Sequence, residues 1–291
     1  MNKPGTFPRR EMIQMMPSSH VNMVNLNIPI AENFTCVKTN QLFNGIRTTV
    51  CVHNSTDFLS SLFLNNQIYE SNHLNKLFRI MWRYPDIALI DVGANFGVYT
   101  MFAAAMNRSV IAIECFSPNY NRIIRASQLE NVQDKIILIG NAIYSTSGEY
   151  LRLSRSPENI GSQSIQGNAN TNQSTNNSYI VKTIRFDDIL PVIKQTSHRT
   201  FLLKVDIEGY EYYLFESGRQ VFDYIDIPVI HMEWYQLAHK REFETYVVEF
   251  LTQRGYIPTE DTCKVLNTTN ILKGWPIDVF WIKVNRLTLC S

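Results

Sequence analysis

The 291-residue sequence contains no apolar run approaching the 18 or so residues of a membrane-spanning helix. It has no block of like charge. Its 27 lysines and arginines stand against 26 aspartates and glutamates, for a net charge of +1. Nucleic-acid binders gather a basic stripe on one face, so no nucleic-acid partner is expected. There is no C-x-x-C pair and no Cys/His cluster with zinc-ligand spacing, so no metal site is expected. Arg9 and Arg10 are not followed by the apolar stretch of a signal peptide. No segment repeats. These absences predict a soluble chain without a targeting segment, cytoplasmic as written, acting on a small molecule, a glycan or a protein. The oligomeric state is left open.

What is present is a 45% hydrophobic composition, enough for a sizeable core. The most informative stretch is Ile90-Asp91-Val92-Gly93-Ala94-Asn95-Phe96-Gly97. It joins an apolar strand to a helix over Val98 to Met106. Glycine lets the backbone approach a ligand and reach positive φ, and asparagine tolerates the same region. A dinucleotide loop wants G-x-G-x-x-G, with helix amides on a pyrophosphate. This loop is D-x-G-x-N-x-G, a spacing that resembles the first motif of S-adenosylmethionine (SAM) methyltransferases. About 20 residues on, the strand Val110 to Ile113 ends in Glu114, placed to accept the two ribose hydroxyls.

From Ile87 the pattern alternates strand and helix, the signature of an α/β fold with a mostly parallel, doubly wound sheet. Strands are expected at 87–92, 110–114, 135–139, 200–206 and 228–234, and helices at 97–106, 118–130, 187–195, 208–218 and 241–254. Ile277 to Val284 is expected as a late edge strand, antiparallel to residues near Tyr256. Residues 1–30 read as an N-terminal arm without periodicity. Residues 31–86 read as a hairpin and helical extension, and 87–291 as the nucleotide domain. The Ser/Asn/Gln-rich stretch 156–178 reads as a flexible insertion, either a lid over a site or a disordered loop.

Cys36 and Cys51 flank Asn44-Gly45, a favoured hairpin turn pair. Centred there, residue 36 lies nearly opposite 51 or 53, and a cross-strand disulfide would imply an oxidising, secretory compartment. Six Asn-x-Ser/Thr sequons, at Asn33, Asn54, Asn107, Asn172, Asn176 and Asn267, add weakly to that. Cys115 is expected as a buried thiol, and Cys263 and Cys290 as a second conceivable pair.

A second cluster, Lys204-Val205-Asp206-Ile207-Glu208-Gly209-Tyr210-Glu211, follows the apolar strand Phe201 to Leu203. With the first loop it resembles the FkbM family of SAM-dependent methyltransferases, whose pattern has a D-V-G-A-N loop and a later K-x-D-x-E-G-x-E segment. One motif departs: Cys115 stands where the family has proline after the ribose carboxylate. Arg185 to Leu190 and Ile230 to Trp234 resemble further family segments. The likeness covers roughly residues 60 to 284. It implies a class I Rossmann-like methyltransferase fold with SAM as cofactor. It assigns Asp91, Gly93, Ala94, Asn95 and Gly97 to the methionine side, Glu114 to the ribose, and Asn141 and Ala142 to the adenine.

Methyl transfer to a hydroxyl needs alignment, exclusion of water and a sink for a proton. The expected acceptor is a hydroxyl on a sugar, a glycan or another small molecule. Candidate catalytic groups lie at strand C-termini: Asp206, Glu208, His231 and Glu233, with Asp206 also expected to bind the cofactor, facing its sulfonium or holding the acceptor. Glu208 and Glu211, three apart, would share a helix face. Asp206 also suits a helix N-cap, and Lys204 is expected to pair with Asp206 or Glu233. Glu70 falls where the helical extension approaches the nucleotide domain; of a pocket-lining and a surface position, the surface is the expected one. The alternative function is a SAM-binding or protein-interaction module of the same fold without turnover.

Overall fold

The computed structural model describes residues 20–156, 158–161, 163–168, 177–237, 240–260, 264–268 and 275–286. Its strands are β1 (Met23–Val24), β2 (Thr35–Lys38), β3 (Thr49–Val52), β4 (Ala88–Val92), β5 (Val110–Ile113), β6 (Ile136–Ile139), β7 (Ala142–Ile143) and β8 (Tyr150–Leu153). They continue as β9 (Ile165–Asn168), β10 (Ile180–Ile184), β11 (Phe201–Val205), β12 (Val229–Glu233), β13 (Tyr256–Glu260), β14 (Lys264–Val265) and β15 (Asp278–Lys283). The helices are α1 (Phe58–Leu64), α2 (Ser71–Arg83), α3 (Val98–Ala105), α4 (Ser117–Glu130), α5 (Leu190–Gln195), α6 (Glu211–Ser217), α7 (Arg219–Tyr224) and α8 (Arg241–Gln253). None of them is long and apolar enough to cross a membrane, among the described residues.

Among the described residues, nine strands form the main sheet in the order β1-β6-β5-β4-β11-β12-β15-β13-β14. The run β6-β5-β4-β11-β12 is parallel. Every residue of β4, β5, β6 and β11 is buried, as expected of parallel strands covered on both faces. Successive residues serve opposite faces. Ala88, Ile90 and Val92 enter a core with residues of α5 to α8, whereas Leu89 enters one with residues of α1 to α4. Leu74, Leu77, Phe78 and Met81 of α2 fill that second core, which accounts for their helical spacing.

The sequence reading needs four corrections here. β15 is no edge strand. It lies antiparallel between β12 and β13, with Val279, Phe280, Trp281 and Ile282 buried, because an apolar strand of this kind needs cover on both faces. Part of the expected arm is ordered: Met23 and Val24 pair antiparallel with β6, while residues 1–19 lie outside the described chain. The insertion contributes β9, paired with β8 in a smaller sheet of order β7-β10-β8-β9 that sequence reading missed. Finally, Glu208 sits in a turn before α6 and not on it, so Glu208 and Glu211 share no helix face.

The hairpin holds. Cys36 lies directly opposite Cys51, and the two form a disulfide. Asn44 and Gly45 both take the positive φ that a tight reversal requires, at 56° and 75°. Cys263 and Cys290 fall outside the described residues.

Candidate functional site

The sheet order reverses at β4. The chain runs outward through β5 and β6, then returns to lay β11 on the other side of β4. Two loops therefore part above the C-terminal end of β4, and such a crevice is where open α/β sheets bind ligands.

The loop after β4 is fixed from three sides. The N–H groups of Gly93 and Ala94 donate to the Ile113 carbonyl at 2.9 and 3.1 Å. Lys204 Nζ donates to the Gly93 carbonyl at 2.8 Å. Gly93 has φ +76°, and a Cβ there would fall 1.7 Å from the Asp206 carbonyl oxygen, so only glycine lets the two loops touch. Asn95 takes φ 52°, which turns its N–H onto Glu114 Oε2 at 2.8 Å. The Phe116 N–H donates to Glu114 Oε1 at 2.8 Å. The carboxylate is thus held by a backbone donor at each oxygen. Burial pushes its pKa up to about 7, against the pull of those two N–H groups, of Lys204 and of Asn119.

These loops line one cavity. Glu114, Asn95 and Asn119 form a polar wall. Phe116, from the loop between β5 and α4, joins Ala142, Ile143, Leu153 and Ile165, from the smaller sheet and the insertion, as its apolar lining. Gly93, Asp206 and Glu208 close the end nearest β4 and β11. The charged groups in the lining are Glu114, Asp206 and Glu208. No lysine, arginine or histidine lines it, among the described residues.

Of the residues expected to hold a cofactor, Gly93, Asn95, Glu114, Asn141, Ala142 and Asp206 line the cavity. The Asn141 side chain is committed elsewhere. Its Oδ1 accepts the Asn22 N–H at 2.6 Å, and its Nδ2 donates to the carbonyls of His20 and Lys182. Asp91, Ala94 and Gly97 are not in the lining. Asp91 is fully buried beneath the loop, where it accepts from Thr100 Oγ1 at 2.6 Å and lies 3.9 Å from Lys204 Nζ. Ala94 is buried, and Gly97 begins α3 at φ +91°, tight against Ile123. All three shape the loop from behind.

Of the expected catalytic residues, Asp206 and Glu208 line the cavity, whereas His231 and Glu233 do not. Asp206 Oδ2 lies 3.3 Å from Lys204 Nζ, one of the two pairings expected for that lysine. Burial alone would lower the Lys204 pKa, but Asp206, Asp91 and Glu70 outweigh it and hold the ammonium above its usual range. Glu211 is fully buried, and its Oε1 accepts the N–H groups of Ile207 and Gly209 at 3.0 and 3.2 Å, so it fixes the turn that presents Glu208. Glu233 is raised to about 9 by burial and by the neighbouring Asp206, Glu208, Glu211 and Asp278. His231 is buried and held well below its usual range by burial, His73, Lys204 and Lys76.

Sequence reading missed the groups on the far side of Lys204. Glu70, expected at the surface, is half-buried and accepts a 2.6 Å hydrogen bond from the Tyr99 hydroxyl. Asp278 lies 3.8 Å from both His73 Nδ1 and His231 Nε2. These residues come from α2, α3, β12 and β15, and no sequence spacing joins them. The one available signal was polar residues inside otherwise apolar strand and helix patterns.

The donor set fits SAM. A carboxylate fixed by two backbone donors suits a ribose diol, an apolar wall suits a purine, and an acidic lining without basic residues favours a sulfonium over a phosphate. The Asn95–Gly161 approach, where a Cβ on Gly161 would lie 2.1 Å from Asn95 Nδ2, joins the insertion to the glycine loop over this cavity.

No curated protein matches the chain. Among solved structures, a Staphylococcus aureus protein assigned as a caffeoyl-CoA O-methyltransferase aligns at 9% identity, covering 79% of this chain and 93% of that one, with a TM-score of 0.44. A precorrin-6y C5,15-methyltransferase from Geobacter metallireducens aligns at 12% identity, covering 72% and 86%, with a TM-score of 0.33. A SAM-dependent O-methyltransferase from Thermotoga maritima aligns at 8% identity, covering 84% and 76%, with a TM-score of 0.36. The family model described as the methyltransferase FkbM domain matches residues 91–258, more than half of the sequence, and the chain belongs to that family of SAM-dependent methyltransferases.

Proposed function

We propose that this methyltransferase acts on a hydroxyl oxygen of a small-molecule acceptor, with sugars and glycans as the leading class. The observation that carries the reading is the acidic lining at the tips of β4, β5 and β11, with Asp206 and Glu208 at the end nearest the sheet. We assign Glu114 to the ribose hydroxyls and the wall of Phe116, Ala142 and Leu153 to the adenine. Gly93 and Asn95 shape the methionine side. When bound, SAM supplies a methyl group on a cationic sulfur: an O–C bond forms as the S–C bond breaks, and the electron pair stays on sulfur. Asp206 and Glu208 are the carboxylates placed to take the hydroxyl proton, since both border the cavity. Lys204, whose Nζ lies 3.3 Å from Asp206 Oδ2, holds that carboxylate in place.

In domain terms, we assign residues 87–291 to the methyltransferase unit, with residues 156–178 as an insertion within it. Residues 31–86 are assigned to a hairpin and helical extension, and residues 1–30 to an N-terminal arm. Support for the extension comes from Glu70, whose carboxylate reaches Tyr99 of α3.

The test combines SAM binding, SAM turnover on a panel of alcohols, sugars and amines, and mass analysis of the product. The expected result is a methyl ether from a hydroxyl acceptor, lost in Asp206→Asn or Glu208→Gln while SAM still binds. A methylated amine or carbon product, or full turnover in both variants, overturns the reading.

A further inference from the structure

The groups beyond Lys204 form a second polar centre that methyl transfer leaves unexplained. Glu70 precedes α2, His73 follows in its first turn, and His231 projects from β12. One ligand atom from each of these three lies within 4.8 Å of the others. The first residue of β15 adds a fourth: Asp278 Oδ2 is 3.8 Å from His73 Nδ1, and its Oδ1 is 3.8 Å from His231 Nε2.

His231 is the anomaly. Its side chain is 2% exposed, in the middle of a sheet, and neither ring nitrogen has a hydrogen-bond partner. A buried polar group without a partner costs free energy and asks for an explanation. The ring is not free to turn away. It stacks on Phe280 at 4.6 Å, lies 4.9 Å from the His73 ring and 5.8 Å from the Tyr99 ring. Its Nε2 is therefore kept facing Asp278. The Tyr99 hydroxyl likewise orients Glu70 through one carboxylate oxygen, the kind of outer contact that sets metal ligands in place.

We propose that Glu70, His73, His231 and Asp278 form a binding site for a divalent transition-metal cation of the zinc type. Two imidazoles with carboxylates suit zinc, iron or nickel, whereas magnesium and calcium prefer all-oxygen sites. Zinc binds such atoms at about 2.0–2.2 Å, so the side chains draw in by about an ångström on binding. The site lies outside the lining of the SAM cavity. Its role rests on the methyl-transfer reading: a cation beside Lys204 and Asp206 lowers the pKa of an acceptor hydroxyl bound to it and fixes its direction.

The experiment uses the full chain, stripped with a chelator, and titrates Zn²⁺ by calorimetry, with bound zinc counted by elemental analysis. Co²⁺ substitution supplies a visible spectrum of the ligand field. The expected result is one zinc per chain. His73→Ala and Glu70→Gln should each weaken binding by at least about tenfold and alter the cobalt spectrum. His73 is partly exposed and Glu70→Gln is isosteric, so both variants should retain wild-type circular dichroism. Absence of saturable zinc binding by the wild-type chain, or equal affinity in a folded variant, overturns the site. SAM affinity is measured on the same samples. SAM binding without zinc defeats this inference alone, and zinc binding without SAM defeats the methyl-transfer reading and leaves the site.

Discussion

Two glutamates carry a backbone strain that marks them out. Among the described residues, Glu70 and Glu208 are the ones other than glycine and asparagine with positive φ, at 50° and 57°. That region costs an ordinary L-residue roughly 1–2 kcal/mol. Glu208 lines the cavity, and Glu70 belongs to the polar centre beside it. Strain of this kind persists where the surroundings over-determine it, and it clusters at functional sites. Replacing Glu208 by glycine should therefore raise unfolding free energy by about 1 kcal/mol in urea titration while turnover falls. Loss of stability with unchanged turnover would reject a functional role for Glu208.

Glu114 supports a pH prediction at the same scale. Burial raises its pKa to about 7. A carboxyl raised by folding stabilises the native state below its unfolded pKa and loses that contribution as pH rises through the folded value. Cofactor affinity should run the other way, because the ionised form accepts ribose hydroxyls. SAM affinity measured by calorimetry should strengthen between pH 6 and 8. Glu114→Gln should flatten that dependence and weaken binding at pH 8 by about tenfold, the value of a lost charged hydrogen bond. An unchanged pH profile in the variant would remove Glu114 from the ribose.

At the scale of elements, legibility followed locality. β4, β5, β6, β11 and β12 could be read because parallel strands buried on both faces are continuous apolar runs. The glycine loop, Glu114 and Asp206 could be read because their geometry is set within a few residues of a strand end. The smaller sheet could not. Its strands are short, polar on one face and separated by the insertion, as in Ile165–Asn168. The position of β15 between β12 and β13 depends on partners, and a strand's own pattern cannot name its neighbours. The centre built from Glu70, His73, His231 and Asp278 was hidden for the same reason, with its members on separate elements. The Cys36–Cys51 pairing was legible because a hairpin register is local. That bridge closes a loop with a sequence separation of 15 residues, worth about 3 kcal/mol in the chain-entropy account. Replacing both cysteines by alanine should lower unfolding free energy by about that amount, and reductant should then have no further effect. Equal stability with and without the bridge would show that the hairpin is held by packing alone.

For the whole molecule, topology and charge select the ligand together. The order β6-β5-β4-β11 places a crevice at one point of the sheet, which any nucleotide-binding fold of this kind would share. The lining then discriminates. Glu114, Asp206 and Glu208 meet a ligand with three carboxylates and no basic side chain, among the described residues. A pyrophosphate placed there would face like charge in a low-dielectric cleft, whereas a sulfonium would face opposite charge. Binding to the native state alone stabilises it by mass action, by about 2.7 kcal/mol at a hundredfold excess over Kd. SAM should therefore raise the melting temperature in proportion to the logarithm of its concentration, and NADH at the same concentrations should leave it unchanged. If NADH raised it as much as SAM, the acidic lining would not be what selects the cofactor, and the expected place of Asp206 beside its cationic sulfur would fail with it.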